Sequence, residues 1–142
     1  MPFDIERLFQ LWSEPLPDGP AAEAAFRELY TDPVLINGNL LTTAELVTLA
    51  RGVQSAYDGV EREVLDVVEH EDKVAVAFWM GGRQIGELTT AAGPLPATGK
   101  EVKVRVIDIL TITGGRISKI WMVADWLGAL SAINAARLVS PA

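Results

Sequence analysis

The sequence reads as an α+β domain with its helices on one face of a curved antiparallel sheet. Apolar residues recur at helical spacing as far as Tyr57, then alternate at strand spacing from Arg62 to Trp126. The strand-like runs are joined by short turns rich in glycine and acidic residues. Helices gathered first and strands after them favour segregated layers over an alternating parallel sheet. A sheet curled around helices leaves a concave space between the layers, a common place for a small-molecule pocket.

Each element has its own signal. Phe3, Ile5, Leu8, Phe9 and Trp12 predict a first helix over Phe3–Trp12. Three prolines and a glycine make Glu14–Pro20 a loop. A second helix, Pro20–Thr31, tolerates its proline in the first turn and gathers Phe26, Leu29 and Tyr30 on one side. Asp32-Pro33 stops it, because the residue before a proline avoids the helical region. A short strand, Val34–Ile36, runs into the turn-rich Asn37-Gly38-Asn39. Thr42-Thr43-Ala44-Glu45 is a capping box that opens a third helix running to about Tyr57 and ending near Gly59. Arg62–Glu69 and Lys73–Met80 pair across a turn at His70–Asp72. Gly81-Gly82 marks a bulge or bend, after which Arg83–Thr89 continues the strand. Ala91–Gly99 is a loop. Val102–Thr113 and Arg116–Trp126 form the clearest hairpin, joined at Gly114-Gly115, and Leu127–Leu138 is a terminal helix or tail of small residues.

Composition narrows the function. At 142 residues, 49% of them hydrophobic, the chain fits one domain over 1–142 with a sizeable core. A formal net charge of −7 argues against nucleic acid and against an anionic membrane surface. The twelve Lys and Arg residues are scattered, and no apolar stretch approaches the roughly 18 residues needed to span a bilayer. The N-terminal MPFDIERLFQLW lacks a basic leader ahead of an apolar run, so no secretion signal is expected. Cysteine is absent, which removes disulfides and thiolate chemistry and fits a reducing cytoplasm. The single histidine, His70, sits in an exposed turn, so serine-hydrolase triads and histidine-rich metal centres fall away and no metal is expected.

One carboxylate stands out. If Lys119–Trp126 is a strand, Trp121, Val123 and Asp125 share a face, and a carboxylate on an apolar face loses water and is driven towards its neutral form. That is how a general acid or base is tuned to neutral pH. The plainer reading makes Asp125 a strand-end residue that caps the following segment. Asp108 is a second such carboxylate, in phase with Val102, Val104, Val106 and Leu110, and either a structural hydrogen bond or a pocket role fits it. Arg105 alternates with Lys103 and faces solvent or a partner subunit.

The succession of helices, NGN, an Ala-Thr-Gly-Lys turn and then IDIL, GGRISKIW and AD resembles the SnoaL-like polyketide cyclases. These belong to the wider nuclear transport factor two-like superfamily of cone-shaped α+β barrels. The likeness spans about Ala25–Leu130 and is densest at Gly115, Trp121 and Asp125. The resemblance implies helices packed in the concave face of a cone-shaped sheet, with no cofactor. It also implies Asp125 as the acid/base of an intramolecular aldol ring closure on a small, largely apolar, carbonyl-bearing substrate. Gln84 stands where many relatives carry a histidine, which leaves it an orienting role or that of an ordinary strand residue. Ile120 replaces a second frequent histidine. Asn37 occupies the place of the catalytic base in steroid isomerase relatives, where it cannot take a proton but can orient a substrate oxygen or simply make a turn. The Asp-Arg pair of epoxide hydrolase relatives has no counterpart on Val74–Leu88. Trp79 and Trp121, with Phe78 and Trp126, either wall an aromatic pocket or belong to the core; Trp12 and Tyr30 are weaker candidates for that wall.

The leading expectation is therefore a polyketide cyclase with Asp125 as acid/base and Asn37, Gln84, Trp79, Asp108 and Trp121 about the substrate. An isomerase, dehydratase or epoxide hydrolase on the same scaffold, or a non-catalytic small-molecule binder, are the alternatives. The resemblance also implies a homodimer through the outer face of the sheet.

Overall fold

The computed structural model describes residues 3–141. Among them the chain runs α1 (Ile5–Ser13), α2 (Pro20–Leu29), β1 (Tyr30–Ile36), β2 (Asn39–Leu41), α3 (Thr43–Ala56), β3 (Tyr57–His70), β4 (Lys73–Gln84), β5 (Leu88–Thr90), β6 (Gly93–Leu95), β7 (Glu101–Thr113), β8 (Arg116–Ala124) and α4 (Trp126–Ala132). The helices start where side chains satisfy their first amides. Asp4 accepts from Arg7 N to open α1, Thr42 and Glu45 complete the capping box of α3, and Asp125 accepts from Gly128 N at 2.9 Å to open α4. No helix among the described residues is long and apolar enough to cross a membrane.

Six strands form one sheet in the order β2-β1-β8-β7-β4-β3, and β5 pairs with β6 apart from it. All pairs are antiparallel except β1 with β8, which run parallel. The helices lie against the concave face. Phe26, Leu29 and Leu46 meet Val34, Val74, Leu110 and Ile117 there, with Phe9 and Trp12 of α1 packed on the cluster. Strand β7 shows why the sheet has two unlike faces: Val102, Val104, Val106, Asp108 and Leu110 are buried, and the intervening Lys103, Arg105, Ile107 and Ile109 are exposed. The expected α+β architecture, helices inside a cone-shaped sheet, is present.

Local differences have local causes. Helix α2 ends at Leu29, before the proline, because Tyr30 already pairs with Ile117 in the sheet. Gly81-Gly82 carries no bulge: β4 passes through in continuous register with Lys103 and Val102, and the irregularity sits opposite, on β3 between Asp58 and Glu61. The glycines serve close approach, since a Cβ on Gly82 would meet Gly59 O at 2.5 Å. The stretch read as a loop, 91–99, contains the short strand β6. Helix α4 stops at Ala132 instead of Leu138; Asn134 adopts φ 59°, a left-handed conformation that suits a helix end.

Candidate active site

The interior of the cone is largely apolar, and β7, β3, β1 and α1 contribute a small polar group to it. Asp108 points inward between Val106 and Leu110 and is 9% exposed. Its Oδ1 is buried with no hydrogen-bond partner. Loss of water raises its pKa from the ordinary 3.8 to about 7, and the positive charge of Arg62 offsets part of that rise. A carboxyl group so placed is divided between acid and base near neutral pH.

Arg62 is the counter-charge. On β3 it alternates with Val60 and Val64, and all three line a cleft of about 500 Å³ whose other wall is formed by Ile5, Phe9 and Ser13 of α1. Its Nη1 donates to Ser13 Oγ at 2.5 Å and its Nη2 to Met80 Sδ at 3.2 Å. The guanidinium lies over the rings of Phe9 and Phe78 at 5.5 and 5.9 Å. It makes no ion pair with a described carboxylate, and its Nε is buried and unpaired. Burial brings its pKa down to about 10.

Two tyrosines complete the group. The buried Tyr30 hydroxyl accepts from Trp12 Nε1 at 2.8 Å, and burial, with Asp108 adding to it, holds that hydroxyl firmly protonated. Tyr57 has a buried, unpaired hydroxyl whose pKa burial pushes up to about 12. The arrangement supplies one titrating carboxyl, one unpaired cation and neutral hydroxyl groups within apolar walls. Proton transfer on a neutral carbonyl compound is within its means.

The sequence-selected residues divide sharply. Asp108 belongs to this interior group. Asp125 lies outside that buried group, although Arg62 also lines the cleft that Asp125 borders. Trp121, Val123 and Asp125 do alternate on one face, but that face is the outer one: Trp121 is 50% exposed, Val123 73% and the Asp125 side chain 47%. The inner face of β8 instead carries Ile120, Met122 and Ala124, which pair with Leu110, Asp108 and Val106. Asp125 caps α4, sits 3.8 Å from Arg105 Nη2 and borders a second cleft of about 660 Å³. The desolvated carboxylate expected at Asp125 is found at Asp108.

Gln84 is wholly buried but fully engaged. Its Nε2 donates to the carbonyls of Gly86, Leu95 and Pro96, and its Oε1 accepts from Thr98 N and Thr98 Oγ1. No capacity is left for a substrate, so the expected pocket residue is a clamp on the 93–98 segment. Asn37 has the geometry of the turn reading. It is exposed, adopts φ 49° and accepts from Met122 N at 2.8 Å, tying the end of β1 to β8. Trp121 faces outward beneath Lys119, whose Nζ lies 5.1 Å from the ring. Trp79 is stacked under Arg105 and lines the second cleft. Sequence reasoning passed over Arg62, although a lone cation in phase with Val60 and Val64 was the signal that could have found it.

No curated protein matches the chain by sequence. Among solved structures, TsrD from Streptomyces laurentii superposes with a TM-score of 0.77 at 19% identity, covering 93% of this chain and 92% of that one. IdmH from Streptomyces antibioticus, a proposed polyketide cyclase, superposes with a TM-score of 0.71 at 18% identity over 92% of this chain and 95% of its own. AclR from Streptomyces galilaeus, a proposed hydroxylase, gives 0.66 at 21% identity over 83% and 77%. At these identities the structural likeness speaks to the fold alone. The family model for the SnoaL-like polyketide cyclases matches residues 12–133, nearly the whole chain. The chain belongs to the SnoaL-like polyketide cyclase family.

Proposed function

We infer that this protein closes a ring in a small, largely apolar, carbonyl-bearing substrate by an intramolecular aldol reaction, without a cofactor. Asp108 serves as the acid/base. The observation that carries this reading is its buried, unpaired carboxyl oxygen, in a group whose pKa lies near 7. The Asp108 carboxylate takes a proton from a carbon beside a carbonyl, and the electron pair moves onto that carbonyl oxygen. The resulting enolate carbon attacks the second carbonyl, and Asp108 returns its proton to the new alkoxide. The apolar walls hold the chain of the substrate in a reactive conformer and keep water out.

The family match supports the cyclase class, and the position of Asp108 favours it over Asp125 for the proton transfer. Asp125→Ala is accordingly expected to keep turnover within about threefold while losing about 1 kcal/mol of stability with the α4 cap. Turnover measured beside thermal unfolding checks both halves. A loss of turnover comparable to that of Asp108→Asn would return the acid/base role to Asp125.

The working form is a homodimer in a reducing cytoplasm, a setting in keeping with a chain free of cysteine. Support for the dimer comes from the outer face, where Ile107 and Ile109 lie opposite Val123 and Trp121 and all four are exposed. Val123→Glu places a charge at the centre of that patch. Sedimentation is expected to show a dimer for the unaltered chain and a shift towards monomer for Val123→Glu; a monomer for both would end the dimer reading.

A further inference from the structure

The cleft between α1 and β3 contains a cation, Arg62, that forms no contact ion pair with a described carboxylate and feels Asp108 only at longer range. Arg62 is held by Ser13, Met80 and two phenyl rings, none of which neutralises it, and its buried Nε has no acceptor. Its Nη2 is held only by a thioether sulfur, a weak acceptor that a carbonyl oxygen can outcompete. The rim sets the sign of what arrives. Glu6 and Glu14 are exposed on the same cleft, and the chain carries a net charge of −7, so an anion is repelled on approach while a neutral molecule is not.

We propose that Arg62 binds the carbonyl oxygen of a neutral substrate and stabilises the negative charge that develops there as the enolate forms. This rests on the ring-closing reading above and deepens it by naming the electrophilic partner of Asp108 and the charge class of the substrate.

The sheet register sets the spacing of the two groups. Arg62 pairs with Met80 on β4, and Asp108 pairs with Val76 on the same strand. Their backbones are thus two strands apart and four residues apart along β4, about 10 Å by about 13 Å in a flat sheet. Both side chains point to the concave side, and the long arginine stem shortens the gap. In this arrangement a bound dicarbonyl presents its reacting carbon to Asp108 and the adjoining carbonyl oxygen to Arg62. Because the charge on that oxygen exists only after proton removal, the contact strengthens in the transition state and accelerates the step.

The test uses 4-nitrophenol, which ionises near neutral pH and presents either a phenol or a phenolate oxygen, with 4-nitroanisole as the uncharged control. The phenolate absorbance band reports which form is bound at pH 7. The unaltered protein is expected to hold the phenolate in preference to the phenol. Arg62→Met, whose straight apolar stem suits the space between Phe9 and Phe78, should weaken phenolate binding roughly tenfold or more and leave 4-nitroanisole binding nearly unchanged. Arg62→Gln gives a second reading if the methionine variant fails to fold. A phenolate preference that survives both substitutions, or is missing from the unaltered protein, overturns the proposal. With a ring-closing substrate, Arg62→Met should lower kcat by roughly 10²–10³-fold and leave KM little changed. The probe experiment needs no turnover. Failure of Asp108→Asn to reduce turnover would sink the acid/base reading and leave the phenolate result standing, whereas an unmoved phenolate preference would sink only the role of Arg62.

Discussion

Asp108→Asn is expected to lower turnover of a small, neutral, largely apolar dicarbonyl substrate by roughly 10²–10⁴-fold, the usual contribution of a positioned acid/base. Asparagine keeps the shape of the side chain and removes its capacity to carry a proton. The same substitution should raise stability at neutral pH. In the folded chain Asp108 holds its proton up to about pH 7, while in the unfolded chain it releases it near 3.8. The folded state therefore binds more protons between those values, and stability falls as pH rises through the window and levels off above it. Asparagine carries no such dependence. Its advantage over the unaltered protein should be absent below about pH 4, grow through the window, and reach at most about 4 kcal/mol above pH 7. Chemical denaturation at pH 4 and pH 8 measures it. A variant that loses turnover and gains stability is what an active-site carboxyl predicts; loss of both at pH 8 would mark Asp108 as structural.

Gln84→Ala is expected to cost on the order of 3 kcal/mol, because three carbonyls and two Thr98 donors lose a buried partner together. The unfolding midpoint should fall by about 10 °C. Asp108 lies on another strand and has no bond to this clamp, so binding of 4-nitroanisole at temperatures well below the midpoint should persist. A shift of less than about 2 °C would show that the 93–98 segment is held by other means.

Much of the fold was legible. The periodicity of Val102–Leu110, the capping box at Thr42 and the turn at Gly114-Gly115 are local signals, and local structure obeyed them. The parallel pairing of β1 with β8 was not legible, since its partners are more than eighty residues apart and no turn connects them. Strand β6 is three residues long with a proline at its centre, too short for alternation to show.

The site was half legible, and the reason is geometric. A period of two says which residues share a face and leaves open which face is inside. Asp108 and Asp125 both stood in phase with apolar residues; packing of the helices against Leu110 and Ile120 made one face the interior and left Trp121, Val123 and Asp125 outside. Gln84 looked like a pocket residue because many relatives carry a histidine at its position, and most of its partners come from a segment ten or more residues away. Arg62 was overlooked because a charged residue on a strand is ordinarily solvated. Burial between two phenyl rings is a tertiary fact.

The proposed acid/base role of Asp108 inside the cone is best tested by following its side-chain carboxyl carbon by NMR as pH is varied in the free protein, with Asp108→Asn assigning the signal. The structure predicts a midpoint near 7. A midpoint in the ordinary carboxylate range, near 4, would mean that Asp108 is solvated and that the proton transfer belongs elsewhere.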